Sequence, residues 1–117
     1  MCARVLIVDD DPDFRDSAGR VLSDRGYNVV GAAATVGQAR AAMRDARPDA
    51  VLLDVNLPDG DGIDFARELT ARDHGLRVLL TSSDAGAAPS RLVERSGATG
   101  FIAKVDLAVA DIAPFLG

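Results

Sequence analysis

A chain of 117 residues, 48% hydrophobic and 26% charged, has room for one compact domain with a buried core and too little for two ordinary ones. No apolar run approaches the roughly 20 residues that a bilayer span needs, and residues 5–8, between Arg4 and Asp9, are too few for a secretory leader, so a soluble, cytoplasmic protein is expected. A net charge of -5 argues against this domain gripping nucleic acid by itself, and the lone Cys2, with no Cys or His at ligand spacing, argues against a disulfide or a zinc site.

The first apolar run, residues 3–8, is continuous rather than alternating, which predicts a strand buried on both faces. It stops in three carboxylates, Asp9, Asp10 and Asp11, of which Asp11 is the expected N-cap of a helix that Pro12 begins. Phe14, Ala18, Val21 and Leu22 step along one face of that helix until Gly26 stops it. A second strand covers residues 28–33. Thr35 with Gln38 three residues on is a capping-box signature, and Val36, Ala39 and Met43 give the second helix its apolar stripe up to Arg47 and Pro48. The third strand, residues 50–53, ends at Asp54; after "DGDG", Ile63, Phe65, Ala66 and Leu69 mark a third helix. A fourth strand, residues 76–81, is followed by Ser82 and Ser83. The fourth helix, residues 88–96, is short, since the "DAGAAP" before it is poor in large apolar side chains. A fifth strand, residues 99–103, ends at Lys104, and a fifth helix is expected over residues 106–115, through Leu107, Val109 and Ile112 to Phe115, with Pro114 tolerated near its end.

Strict alternation of strand and helix with short connections implies a doubly wound α/β domain: a five-stranded parallel sheet with helices on both faces. In such sheets chemistry gathers at the carboxyl ends of the strands. Those ends carry Asp9 and Asp10, Asp54, Ser82 and Lys104. Converging Asp carboxylates suit a hard, oxygen-ligated Mg²⁺, whose charge offsets their mutual repulsion and attracts phosphate oxygens. A hydroxyl and an ammonium around the same point suit a transferring phosphoryl group, and Asp54 is then the candidate nucleophile. Lys104 stands out further: 12 of the 13 basic residues are Arg, and it is the only lysine.

These motifs together, "VDDDP", "LLDVNLPDGDG", "LLTSS" and "GATGFIAK", resemble the receiver domains of two-component response regulators, over essentially the whole chain. The resemblance implies a (βα)5 flavodoxin-like three-layer sandwich, one receiver over residues 1–117, and Mg²⁺-dependent phosphorylation of Asp54 by a sensor histidine kinase or phosphotransfer protein. It implies Asp10 as a direct metal ligand, Asp9 as a ligand through water, the Asn56 backbone carbonyl as a further ligand, and Mn²⁺ as a substitute ion. Lys104 would pair with the phosphoryl group. Ser82 would supply the hydroxyl, with Thr81 the alternative. Phe101 resembles the aromatic switch residue, which would repack the surface of the fourth helix, fifth strand and fifth helix. Asn56 and Asp84 stand where the family tunes self-dephosphorylation. The partner would be an output domain or downstream protein, or a second copy in a phosphorylation-dependent homodimer; no membrane contact is expected. Val105 stands where the family commonly has proline, so the following loop is expected to differ.

Simpler readings compete at several positions. Asp11, Asp13 and Asp59 read more readily as helix caps and solvated turns, and His74 as an exposed loop residue. "DGDGIDFARE" fails as a calcium loop because Leu57, followed by Pro58, stands where its first ligand belongs. An aspartate-based phosphatase of the haloacid dehalogenase type would need an acid two residues beyond its nucleophile, where this chain has Asn56.

Overall fold

A computed structural model of the chain describes residues 3–83 and 90–117. Five parallel strands form one sheet: β1 (Arg4–Val8), β2 (Asn28–Ala33), β3 (Ala50–Asp54), β4 (Arg77–Ser82) and β5 (Gly100–Ala103), in spatial order β2-β1-β3-β4-β5. The helices between them are α1 (Pro12–Asp24), α2 (Val36–Ala46), α3 (Gly62–Arg72) and α4 (Ser90–Arg95), followed by a short α5 (Ala113–Leu116). This is the doubly wound, flavodoxin-like order, with its switch point between β1 and β3.

Successive residues of a buried strand serve opposite faces. Val5, Ile7, Leu52 and Leu79 pack with Ala18 and Leu22 of α1 and Leu116 of α5, while Leu6, Val8, Leu53 and Leu80 pack with Ala39 of α2 and Phe65 and Leu69 of α3. Two apolar layers therefore share one sheet, which is why the strand sequences are uniformly apolar. Burial of β3 is complete from Ala50 to Asp54, so the carboxylate that ends it is carried into the core's edge.

The caps follow the local chemistry. Asp11 accepts from the Asp13 amide at the start of α1, with Pro12 as the first helical residue. At α2, Thr35 accepts from the Gln38 amide, but the Gln38 side chain reaches the Ala34 amide rather than that of Thr35, so the reciprocal arm of the capping box lands one residue early. Asp59, from the loop after β3, caps α2 a second time, accepting from the Val36 and Gly37 amides at 2.7 and 3.1 Å. Those amides hold its carboxyl below the usual carboxylate range. Asp61 caps α3 through the Ile63 amide. With Asp59 and Asp61 committed to two different helices, no calcium loop forms; His74 is exposed, as expected.

Two features depart from the sequence reading. Residues 56–61 form a small antiparallel ladder, Asn56 with Asp61 and Leu57 with Gly60, between β3 and α3. The expected fifth helix over residues 106–115 is broken: a 3₁₀ turn, Lys104–Asp106, leads through further turns to the four-residue α5. The reason is Pro114, which lacks the N–H that the Ala110 carbonyl would need in a continuous helix. Arg25, at the end of α1, takes that carbonyl and the Ala108 carbonyl instead, with both guanidinium contacts at 2.5 Å. Among the described residues no peptide bond is cis.

Candidate functional site

β1 and β3 are neighbours in register, Val8 opposite Leu53, so the residues that follow them arrive together at one edge. Asp9 is fully buried and Asp54 only 4% exposed, while Asp10 is exposed. Each of the three offers a carboxylate oxygen, and these oxygens lie within 4.8 Å of one another. Local amides hold the two buried carboxylates: the Asp11 amide donates to Asp9 Oδ1 at 2.8 Å, and the Asn56 amide to Asp54 Oδ1 at 3.1 Å.

Lys104 enters from the end of β5. Its Nζ lies 2.6 Å from Asp9 Oδ2 and 3.4 Å from Asp54 Oδ2, with the side chain 15% exposed. Burial pushes the lysine's pKa down, but the hydrogen bond to Asp9 and the charges of Asp54 and Asp9 outweigh it, and the net shift is upward. For Asp54 burial is the largest influence and raises the pKa; the Asn56 amide opposes it, the Asp9 charge adds to it, and Lys104 opposes it again. The net direction is up, so the fold holds the Asp54 carboxylate against its own preference.

Removing buried charges from water is costly unless they are matched. Here two buried carboxylates and a third at the surface face one ammonium, which approaches Asp9 Oδ2 to 2.6 Å. An all-oxygen set with surplus negative charge, open to solvent on the Asp10 side, fits a hard divalent cation such as Mg²⁺.

Four of the sequence-derived site residues come together. Asp9, Asp10, Asp54 and Lys104 meet at one point, and Asn56 adjoins it. Phe101, on the strand that ends at Lys104, is half-buried and packs against the α2/α3 layer of the core. Asp84 lies outside the described residues.

Both candidate hydroxyls are at the end of β4 and buried. Thr81 is the register partner of Asp54, and its Oγ1 has no hydrogen-bond partner among the described residues; Ser82 pairs in register with Ala103, next to Lys104. The two separate by experiment. Thr81→Val, which keeps shape and removes an unsatisfied hydroxyl, is expected to leave thermal stability equal to or above wild type. Ser82→Ala is expected to slow phosphorylation by acetyl phosphate several-fold. Slowed phosphorylation in Thr81→Val, with Ser82→Ala unaffected, would reverse the assignment.

Three contributors were not singled out from the sequence. Gly62 packs against the backbone of β3; Arg15 Nη1 donates to the Asp9 carbonyl at 2.7 Å; and the Phe14 ring lies under Lys104. Phe14 was visible only as part of an amphipathic stripe, because a contact between residues this far apart in the chain leaves no local signal.

Residues 5–111 match the response regulator receiver domain. The chain is 40% identical over 104 residues to protein-glutamate methylesterase/protein-glutamine glutaminase 5 of Anaeromyxobacter dehalogenans, covering 86% of this chain and 28% of that protein. It is 37% identical over 102 residues to the DNA-binding transcriptional activator DevR/DosR of Mycobacterium tuberculosis, covering 86% of this chain and 47% of that protein. The chain thus spans less than half the length of either relative. Among solved structures, the receiver domain protein (CheY-like) of Methanospirillum hungatei superposes with a TM-score of 0.79 at 30% identity, covering 89% of this chain and 82% of that one.

Proposed function

The chain belongs to the response regulator receiver domains of two-component systems, and on that premise we propose that residues 1–117 form a single receiver phosphorylated on Asp54 by a sensor histidine kinase or phosphotransfer protein. The observation that carries this reading is the buried Asp54 carboxylate, clustered with Asp9 and Asp10 and facing the Lys104 ammonium at 3.4 Å.

In this reading an Asp54 oxygen attacks phosphorus. The new O–P bond forms as the donor's P–N bond breaks, and the imidazole nitrogen leaves and regains a proton from solvent. Lys104 pairs with the charge on the phosphoryl oxygens, and Ser82 donates its hydroxyl hydrogen to them. Asp10, Asp54 and the Asn56 backbone carbonyl would hold Mg²⁺, or Mn²⁺ in its place, with Asp9 binding through water. The ion, when bound, supplies neutralising charge for the phosphoryl oxygens. The carboxylate surplus described above is what makes this site fit it.

Reversal by hydrolysis needs a water aligned with the Asp54–phosphorus bond, which breaks to return the carboxylate. Asn56 is exposed beside Asp54 and would orient that water, a role that Asp84, two residues past Ser82 in the sequence, would share. Asn56→Leu is expected to lengthen the phosphoryl lifetime several-fold, measured as release of inorganic phosphate; an unchanged lifetime removes Asn56 from this role.

Phosphorylation would draw the hydroxyl toward the phosphate and let Phe101 turn inward, shifting the population of two arrangements of the α4, β5 and α5 surface. That surface would engage an output domain, a downstream protein or a second copy of the chain. Any contact with DNA falls to the output partner, consistent with this domain's acidic charge. No described helix is long and apolar enough to cross a membrane, and the cytoplasm is where this domain would meet a sensor histidine kinase or phosphotransfer protein.

The test is wild-type protein treated with acetyl phosphate or beryllofluoride, with and without Mg²⁺, followed by intact mass and oligomeric state. With acetyl phosphate a Mg²⁺-dependent gain of one phosphoryl group is expected, with no turnover of phosphomonoesters. No gain would overturn the reading.

A further inference from the structure

We infer that Phe14 is a positioning residue for Lys104: its ring holds the ammonium against the two buried carboxylates and so sets the reach of the lysine toward the phosphoryl group. Phe14 is on the first turn of α1 and half-buried. Lys104 Nζ lies 4.8 Å from the centre of its ring, within the range of cation–π attraction. The same nitrogen is 2.6 Å from Asp9 and 3.4 Å from Asp54. The ammonium is therefore held between an aromatic face and two anionic oxygens.

A lysine is a compact charge on a flexible four-carbon stem, and nothing in its own geometry fixes where the charge sits. Val105 beside it is 83% exposed and gives the turn no packing anchor. The ring supplies the missing restraint without a new charge. A third buried carboxylate in its place would bind the ammonium more tightly but would repel the incoming phosphoryl oxygens. An aliphatic side chain would fill the space but would offer no attraction to the charge. Phe14 and Lys104 also border a common groove with Val105 and Ser17, so the ring shields one side of the ammonium that would otherwise meet water.

The inference rests on the phosphorylation reading for its consequence, but the contact itself is measurable separately. Lys104 is the only lysine, so lysine labelled with ¹³C at Cε gives one side-chain signal by NMR. Its methylene protons are expected to be shifted upfield by the ring, with nuclear Overhauser contacts to an aromatic ring, in wild type and in Phe14→Tyr. In Phe14→Leu they return toward the position of free lysine. With acetyl phosphate and Mg²⁺, Phe14→Leu is expected to be phosphorylated about 3- to 10-fold more slowly than wild type. Phe14→Tyr is expected to retain the wild-type rate. In a Lys104→Met background Phe14→Leu should slow the reaction no further, whereas a merely structural role would slow it in both backgrounds alike. An unshifted lysine signal in wild type, or equal slowing in the two backgrounds, overturns the inference. If wild type takes up no phosphoryl group while its lysine signal is ring-shifted, the phosphorylation reading fails and the contact stands.

Discussion

Asp54→Asn is expected to gain no phosphoryl group from acetyl phosphate and Mg²⁺ over a time in which wild type is fully modified, a loss on the order of 10⁴-fold or more, as for removal of other catalytic nucleophiles. The amide keeps the size of the side chain and can still accept from the Asn56 amide, so the site's shape survives while the nucleophile does not. A Mg²⁺-dependent mass gain that persists in Asp54→Asn would place the acceptor elsewhere. The same variant also carries a stability signature. Burial, opposed by the Asn56 amide but reinforced by the Asp9 charge, raises the Asp54 pKa above its unfolded value. The folded state then binds the proton more tightly than the unfolded chain does. Stability from this group is complete below the ordinary carboxylate range and falls as pH rises through the raised value. In metal-free solution at neutral pH, Asp54→Asn should therefore melt above wild type, and the difference should vanish on acidification. Mg²⁺ should narrow or reverse the gap, because an ion bound to the folded wild type stabilises it by mass action. A metal-free Asp54→Asn that melts below wild type at neutral pH would show that Lys104, not burial, governs this carboxylate.

Among the described glycines, Gly62→Ala is expected to be the most damaging alanine substitution. A Cβ at position 62 would stand 2.0 Å from the Asp54 carbonyl oxygen, 2.7 Å from Val55 Cα and 2.9 Å from the Asp54 carbonyl carbon. All three are backbone atoms of the segment that carries Asp54, so no side chain can swing aside. Helix propensity pulls the other way, since alanine is favoured over glycine by up to about 1 kcal/mol inside a helix. Position 62 is the first residue of α3, where that gain is smallest, and forced overpacking costs about 1–3 kcal/mol or more. Sterics win. The expected result is a loss of about 3 kcal/mol in urea unfolding and a drop of roughly 10 °C or more in Tm. The Gly62 amide also donates to the Val55 carbonyl at 2.8 Å, so moving α3 away moves the loop that follows Asp54. Phosphorylation should slow even below the melting transition. Near-native stability would mean that α3 can slide without disturbing β3.

Why some of this was legible beforehand and some was not follows from where each constraint resides. Strand β3 could be read from Ala50 to Leu53 because burial on both faces demands an unbroken apolar run, and the helices α1 and α2 announced themselves through Asp11, Pro12 and Thr35. Pro114 was equally visible, yet its consequence depended on Arg25, which sits on α1 and takes the carbonyls that a fifth helix would have used. The two-residue ladder at Asn56 and Leu57 is too short to leave a periodic pattern. Asp59 was read as a cap, but the helix it caps is α2, which precedes it in the chain.

The sequence by itself determined the alternating α/β order, the sheet and the residues at its carboxyl edge, because strand burial, helix capping and strand-end position are all written within a few residues of one another. It also singled out Lys104 by composition alone. Only the tertiary structure decided the distances: that Asp9 is buried and Asp10 exposed, that Lys104 spans to both Asp9 and Asp54, that Gly62 packs on the Asp54 backbone and that Phe14 lies under the lysine. Those contacts join β1, β3, β5, α1 and α3. They depend on how two apolar layers pack across one sheet, a property of the whole chain that no short window of sequence contains.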